Sequence, residues 1–362
     1  MGHSHVAPGV SGGIAVHRLP GGSPFLVIGE NIHGTRVVLR GGRHVTVAPD
    51  GREVVCYQDE RGVERHLPIP ERLRKAADVA AGRVKHVQAA VLAILGGNDA
   101  DATEGRAYLQ MLARRQAQAG ADWLDVNLDE VSTDRALQRE SVVAVVRIVE
   151  AAVTVPVALD SSVAELIQAG LEASADPARL LLNSASIERP EVLDLAASAG
   201  CAVIVSAAGR GGLPTGVADR VANAEAIVEQ AVRRGLDLGA IHVDPLVIPV
   251  AVEPDAGAQF LEAVAQLRAR FGPRLHLTGG LSNVSFGLPA RRLLNDTFIR
   301  MAAEAGVDSA IIDPIAADLR RVFGRDPDAP PSRLAADVLT GADAYGLEYL
   351  GAFRAGALAG EG

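Results

Sequence analysis

Apolar runs rich in β-branched residues recur eight times along the chain, and each is followed by a stretch with helical periodicity. Strands that alternate with helices form parallel sheets with helical crossovers, and eight such units predict a closed (β/α)8 (TIM) barrel of the α/β class. The runs are FLVIGEN (25–31), ADWLDVN (121–127), VPVALD (155–160), ARLLLN (178–183), CAVIVS (201–206), IHVDP (241–245), LHLTGGLSN (275–283) and DSAIIDP (308–314).

Seven of these eight runs end in a carboxylate or carboxamide side chain. The active site of a barrel of parallel strands lies at the C-terminal ends of the strands. Side chains alternate between the two faces of a strand, so Asp125 and Asn127 share a face, as do Leu181 and Asn183. The residues predicted to line one bowl are Asn31, Asp125, Asn127, Asp160, Asn183, Asp244, Asn283 and Asp313.

Composition shifts divide the chain into an N-terminal arm (1–23), a barrel (24–315) and a helical C-terminal extension (316–362). An insertion over 38–100 interrupts the barrel after its first strand. Its runs VVLRGGRHVTV, REVVCYQ and VERHLPI predict short strands, and a helical stretch is predicted from Pro70 to about Leu95. This small β-rich insertion is expected to be either a lid or partner surface, or a sheet edge that covers the barrel or pairs subunits.

Charge and composition exclude several classes of function. A net charge of −9 and 3% aromatic residues argue against nucleic-acid binding, and no apolar run has the length of a membrane span. The N-terminus lacks the pattern of a signal peptide, and Cys56 and Cys201 lie in unlike segments. We therefore expect a cytoplasmic, reduced protein with neither disulfide nor metal site, in which Trp123, His242 and His276 fill the barrel.

A bowl of carboxylates and carboxamides suits a neutral heterocycle that is rich in hydrogen-bond donors and acceptors. A carboxylate accepts two parallel N–H bonds from an amidine-like edge, and a carboxamide supplies one donor and one acceptor to the rest of the ring. The 2-amino-4-oxo edge of a pterin meets that demand, and so does guanine. The spacing of the residues does not separate these two ligands.

Several motifs are more specific than the barrel pattern. The chain contains IGENIHGTR (28–36), GADWLDVN (120–127), VPVALDSS (155–162), HVDPLVIPV (242–250) and GLSNVSFGLPAR (280–291), together with NSAS (183–186) and SAIIDP (309–314). These segments resemble the pterin-binding barrels, above all the methyltetrahydrofolate:corrinoid methyltransferases and the folate domain of cobalamin-dependent methionine synthase. The resemblance covers residues 25–37 and 105–315, and the insertion departs from the family pattern.

The resemblance implies a role for individual residues. Asp160 matches the family carboxylate that holds the pterin edge, and Asn183 and Asp244 match two further pterin contacts. Asn283 matches the asparagine that these enzymes place near N5 of the folate. Further pterin-binding candidates, with less defined roles, are Asn31, Asp125, Asn127, Ser285, Arg291 and Asp313.

The implied reaction moves a methyl group between N5 of methyltetrahydrofolate and the cobalt of a corrinoid, in a direction that the sequence leaves open. A carboxamide is no acid near pH 7, so Asn283 is expected to stabilise a protonated N5 rather than supply the proton. No DxHxxG cobalamin motif occurs, which places the corrinoid (cobalamin) on a separate partner protein. Family members often pair as homodimers, and the resemblance extends that expectation to this chain.

Two alternatives compete with methyl transfer. Dihydropteroate synthase shares the barrel but uses a lysine late in it, whereas the lysines of this chain are Lys75 and Lys85. A catalytically silent pterin- or folate-binding module would need the pterin contacts but not a partner for N5. The absence of a late lysine disfavours the synthase, and the intact GLSNVSFG segment, with Asn283, favours the methyltransferase over the silent module.

Overall fold

The computed structural model describes residues 17–19, 22–74 and 81–361 of the chain. The predicted N-terminal arm (1–23) thus lies largely outside the described residues. The chain divides into two compact units, Met1–Gly29 with Leu182–Gly362 (unit 1) and Glu30–Leu181 (unit 2). Unit 1 carries six of the ten predicted site residues, and unit 2 carries the other four.

The strands among the described residues follow the predicted order. They are β1 Leu26–His33, β2 Val37–Leu39, β3 Val45–Val47, β4 Glu53–Gln58, β5 Glu64–Pro68, β6 Arg83–Lys85, β7 Trp123–Asn127, β8 Val157–Asp160, β9 Leu181–Ala185, β10 Ala202–Ser206, β11 Ile241–Asp244, β12 His276–Leu277 and β13 Ser309–Ile312.

Eight of these strands form one sheet in the order β12-β11-β10-β9-β8-β7-β1-β13. The pairs β1–β13, β7–β8, β10–β11 and β11–β12 run parallel. Gly280, just after β12, forms a parallel bridge with Ile311 of β13, so the first and last strands in this order are joined to each other. The predicted (β/α)8 barrel is therefore confirmed.

Helices follow the barrel strands. Among the described residues they are α1 Glu71–Arg74, α2 His86–Gly96, α3 Asp99–Gln118, α4 Arg135–Ala152, α5 Ala164–Ala173, α6 Glu191–Ala199, α7 Gly216–Arg233, α8 Ala256–Phe271, α9 Arg291–Ala305, α10 Leu319–Gly324, α11 Pro330–Thr340 and α12 Leu347–Arg354.

Helix α4 shows why these segments are helical. It buries Val142, Val145, Val146 and Val149, whose spacing of three and four residues produces one apolar stripe. Asp134 accepts a hydrogen bond from the Ala136 N–H at 2.9 Å and so caps the helix N-terminus. The stripe buries against neighbouring elements, while the cap satisfies one of the free N–H groups of the first turn.

The insertion in unit 2 contains two small antiparallel sheets, β2–β6 and β3–β4–β5. The prediction of one helical stretch from Pro70 to about Leu95 is wrong, because Arg83–Lys85 form a strand that pairs with β2. The three-stranded sheet is held to α3 by Glu104, which accepts hydrogen bonds from Tyr57 Oη and from Arg65 Nη2. The β-rich insertion therefore has polar anchors to a barrel helix.

The C-terminal extension packs against α9 within unit 1. Arg321 donates to both carboxylate oxygens of Asp296, at 2.8 and 3.2 Å, and Asp296 is almost fully buried. Tyr349 is fully buried and donates from Oη to the carbonyl of Pro289 at 3.1 Å, just before α9. No helix of the described residues is long and apolar enough to cross a membrane.

Candidate active site

The strand-end residues of unit 1 occupy three different positions. Asp244 is the last residue of β11, as predicted, whereas Asn183 lies in the middle of β9. Strand β12 stops at Leu277, and Asn283 lies in a 3-10 turn, Leu281–Ser285. The prediction that Asn283 ends the strand LHLTGGLSN is wrong, because the two glycines inside that run interrupt the extended backbone.

The carboxylate of Asp244 is buried and accepts a hydrogen bond from the backbone N–H of Leu246. Burial raises its pKa to about 6, and the Leu246 N–H, which donates to Oδ1 at 2.8 Å, opposes that rise. A Cβ added at Gly279 would lie 3.3 Å from Asp244 Oδ1, so glycine keeps the space beside the carboxylate open. At pH 7 the group is mostly ionised but poorly solvated, and a ligand with N–H donors would relieve that cost.

The 3-10 turn is braced from the first residue of α9. Arg291 donates from Nε to Ser285 Oγ at 2.9 Å and from Nη2 to the Ser282 carbonyl at 2.9 Å. The Ser285 hydroxyl, which is fully buried, donates onward to Asn295 Oδ1 at 2.6 Å. These contacts fix the backbone of the turn. Direct contact of Ser285 and Arg291 with a pterin stays a prediction.

The backbone of Asn283 is held within the 3-10 turn, whereas its side chain is available to a ligand. Its carbonyl accepts the Phe286 N–H at 3.1 Å, and the Phe286 ring lies 4.3 Å from the Arg291 guanidinium carbon. Its half-buried carboxamide makes no hydrogen bond to any other residue that the structure describes. A Cβ at Gly280 would approach the amide nitrogen to 2.8 Å, so glycine leaves room for this side chain. The amide can therefore donate to a ligand and accept from it.

Thr278 is a candidate that sequence reasoning missed. It follows β12 directly, and its N–H donates to the Val243 carbonyl at 2.8 Å, next to Asp244 on β11. Its side chain is fully buried, and the hydroxyl has no partner among the described residues. A buried hydroxyl without a partner is costly, so it marks a place for a ligand group or an ordered water. No sequence pattern distinguishes Thr278 from a buried threonine whose hydroxyl is hydrogen-bonded within the protein.

The strand-end residues of unit 2 form a connected polar group. Asn127 and Asp160 are in register on β7 and β8, and Asn127 Nδ2 donates to Asp160 Oδ2 at 2.9 Å. Asp129, which was not predicted, accepts the Ser161 hydroxyl at 2.6 Å and the Ser162 N–H at 2.8 Å. Asn127 thus orients the carboxylate of Asp160, and Asp129 fixes the loop that follows it.

Other predicted residues have local structural contacts. Asn31 and Asp125 are buried in unit 2, and the Asn31 N–H donates to Gln116 Oε1 at 2.9 Å. In unit 1, Asp313 Oδ1 accepts the Ile315 N–H at 2.9 Å and so stabilises the turn after β13. A pterin contact for these three residues stays a prediction.

Two barrel histidines, which were predicted to fill the barrel, pack against each other. The rings of His242 and His276 stack with centroids 4.5 Å apart, and Nδ1 of His276 lies 3.0 Å from Asp308 Oδ2. Burial, with His276 nearby, holds the pKa of His242 well below its usual value. A neutral, packed His242 fits a structural role in the barrel.

Comparisons with known proteins connect this arrangement to a family. Residues 104–313, which include nine of the ten predicted site residues, match the family model described as pterin binding enzyme. Methylcorrinoid:tetrahydrofolate methyltransferase from Eubacterium limosum is 31% identical over 255 residues, which cover 69% of this chain and 88% of that protein. Methionine synthase from Mycobacterium leprae (strain TN) is 32% identical over 216 residues, or 56% of this chain; the chain spans 17% of that protein.

Similarity to solved structures is weaker. Dihydropteroate synthase from Stenotrophomonas maltophilia aligns with a TM-score of 0.49 and 16% sequence identity. The alignment covers 60% of this chain and 86% of that one.

Proposed function

Because the chain belongs to the family of pterin-binding enzymes, we propose that it moves a methyl group between N5 of methyltetrahydrofolate and the cobalt of a corrinoid. The corrinoid is carried by a separate protein. The observation that supports this proposal most directly is the Asn283 carboxamide, which is held on a braced turn and unused by the described residues. A module that only bound pterin would not need such a group near N5.

In this proposal, two carboxylates and one carboxamide bind the pterin ring. In unit 1, Asp244 accepts ring N–H groups, and Asn183 supplies a donor and an acceptor to the remaining ring atoms. In unit 2, Asp160 is the carboxylate for the 2-amino edge, and Asn127 orients it through the bond at 2.9 Å. Hydrogen bonds to charged groups contribute about 1.5–3 kcal/mol each, so three strong ones approach the roughly 8 kcal/mol of a micromolar dissociation constant.

The proposed step transfers a methyl group from nitrogen to a nucleophile. Reduced corrinoid supplies the electron pair that forms the new bond to the methyl carbon, while the N5–carbon bond breaks and its electron pair stays on nitrogen. An amide anion is a poor leaving group, so N5 must hold a proton when that bond breaks. The Asn283 carbonyl oxygen accepts a hydrogen bond from the protonated N5 and stabilises its charge, whereas the proton comes from solvent. The same contacts serve the reverse direction.

The location of the protein is part of the proposal. Cys56 and Cys201 are both free thiols, and free thiols are typical of a reducing compartment. We place this activity in the cytoplasm.

An anaerobic spectroscopic assay tests the proposal. The protein is mixed with methyltetrahydrofolate and free cob(I)alamin, and the loss of cob(I)alamin is followed with the growth of methylcobalamin. Calorimetry reports folate binding in parallel. Fluorescence of Trp123 is unsuited to this, because Trp123 starts β7, about 13 Å from the end of that strand, and donates to the Arg179 carbonyl.

The expected result is saturable folate binding together with methyl transfer that disappears in Asp160→Ala. Folate binding without transfer in either direction would contradict the methyltransferase and favour a silent pterin-binding module. Absence of folate binding would contradict the pterin proposal altogether.

A further inference from the structure

The three-stranded sheet of the insertion brings together side chains that are distant in sequence. Cys56 of β4 lies directly opposite His66 of β5 in the antiparallel register. Glu64 is two residues before His66 and therefore projects from the same face of the sheet. On the other side of β4, the Cys56 N–H donates to the His44 carbonyl at 2.8 Å. One face of this sheet thus carries a thiol, an imidazole and a carboxylate side by side.

The three groups are close enough to share one ion. One ligand atom each from Cys56, Glu64 and His66 lies within 4.8 Å of the other two. His66 Nε2 is already 3.1 Å from Glu64 Oε1. Ligand bonds to zinc are about 2.0–2.3 Å long, and ligands of one tetrahedral ion are therefore separated by about 3–4 Å. Small side-chain rotations, without backbone movement, would bring all three to that distance.

We propose that Cys56, Glu64 and His66 form a binding site for a divalent transition metal ion of the zinc class. Thiolate, imidazole and carboxylate are the three side-chain ligands that zinc uses in proteins, and the thiol disfavours magnesium and calcium. Solvent would fill the fourth position of a tetrahedral ion, because the cluster supplies three ligands among the described residues. This proposal reverses the expectation, drawn from the spacing of the cysteines, that the chain has no metal site.

The electrostatics of the site favour a cation. Burial and the negative charge of Glu64 raise the pKa of the Cys56 thiol, so without metal it stays protonated at neutral pH. A divalent ion between the sulfur and the carboxylate would reverse that effect and release the thiol proton.

The site is open to solvent and lies between two strands, which indicates that a bound ion would have a structural role. The Glu64 side chain is 69% exposed and that of His66 is 37% exposed, so an ion reaches both from solvent without any opening of the fold. Bound metal would cross-link β4 to β5 in the sheet that Tyr57 and Arg65 anchor to α3. We expect it to rigidify the insertion. This role does not depend on folate or corrinoid chemistry.

Cobalt(II) titration of the full-length, chelator-treated protein tests the proposal. A cobalt–thiolate bond produces a charge-transfer absorption that histidines and carboxylates alone do not produce. Cobalt bound by the two histidines of the N-terminal arm, His3 and His5, would therefore not be mistaken for this site. The variants are Cys56→Ser and His66→Ala. Cys201→Ala is the matched control, because Cys201 is the other cysteine of the chain and lies buried in unit 1. Circular dichroism confirms that each variant is folded.

Wild type and Cys201→Ala are expected to develop the thiolate band at one equivalent of cobalt and to lose it when zinc is added. Cys56→Ser should lose the band, and His66→Ala should weaken binding at least tenfold. Zinc should raise the thermal unfolding midpoint of wild type but not of Cys56→Ser. The proposal is overturned if wild type shows no thiolate band at stoichiometric cobalt, or if His66→Ala binds with unchanged affinity.

Discussion

Arg291 donates from Nε to the buried hydroxyl of Ser285 across 2.9 Å, and this bond joins the first residue of α9 to the turn that carries Asn283. Sequence reasoning assigned both residues to the ligand. Their contacts within the fold hold the turn, with a second bond from Arg291 to the Ser282 carbonyl, and their contact with a ligand stays a prediction. The proposed catalytic amide is thus positioned by a polar brace in its own unit.

Removal of the brace should slow methyl transfer more than it weakens folate binding. Ser285→Ala and Arg291→Lys each loosen the turn, and we expect the single-turnover rate to fall about tenfold while the folate dissociation constant changes little. Because the two residues share the Nε–Oγ bond, the loss of rate in the double variant should be smaller than the product of the two single losses, a coupling of about 1 kcal/mol. Independent, multiplying losses would contradict a shared role.

Asp244→Asn should stabilise the folded protein at neutral pH. A carboxyl whose pKa rises from 3.8 to about 6 on folding costs stability above that pH, on the order of 1–3 kcal/mol, and costs nothing below about pH 3.8. The wild-type free energy of unfolding should therefore fall between pH 4 and 6 relative to that of the variant, whose amide still accepts the Leu246 N–H. Urea unfolding of both proteins across this range measures the difference. Parallel curves would contradict the raised pKa of Asp244.

Asp160→Ala should abolish measurable folate binding, because it leaves the donors of the pterin edge unpaired. Asn127→Ala should weaken binding by about tenfold, since it removes only the bond that orients Asp160. Asp134→Ala is a suitable control, because Asp134 caps α4 in the same unit and is expected to affect stability alone. Calorimetric titration with methyltetrahydrofolate distinguishes the three. Near-wild-type affinity of Asp160→Ala would remove this residue from the site.

Tyr349→Phe should lower the free energy of unfolding by about 1 kcal/mol, because the hydroxyl bonds to the carbonyls of Pro289 and Ala290 are lost. Tyr345→Phe is the matched control, because Tyr345 is 83% exposed and its side chain is surrounded by solvent. Equilibrium urea denaturation compares them. Equal losses in the two variants would show that the Tyr349 hydroxyl does not hold this segment.

The barrel was predictable because its signals are local. Each barrel strand lies within a short apolar run of the sequence, and Asp160 and Asp244 end their strands as predicted. Alternation along β7 places Asp125 and Asn127 on one face, as predicted from the sequence. Such features follow from the period of two in strands and from the helices between them.

Features that depend on distant residues escaped prediction. The turn that carries Asn283 departs from the strand because two glycines interrupt it, and the brace from Arg291 depends on where α9 begins. The buried hydroxyl of Thr278 is recognisable only from its surroundings. Cys56 and His66 meet through the pairing of β4 with β5, a register that no short motif encodes.

The most direct test of the account compares Asn283→Ala with Ser282→Ala in one anaerobic experiment that measures folate affinity and the single-turnover rate of methyl transfer to cob(I)alamin. Loss of one preorganised group of this kind costs about 10²–10³ in rate. The account predicts that loss for Asn283→Ala, with a folate dissociation constant within several-fold of wild type, and near-wild-type behaviour for Ser282→Ala. Transfer by Asn283→Ala at the wild-type rate would contradict it.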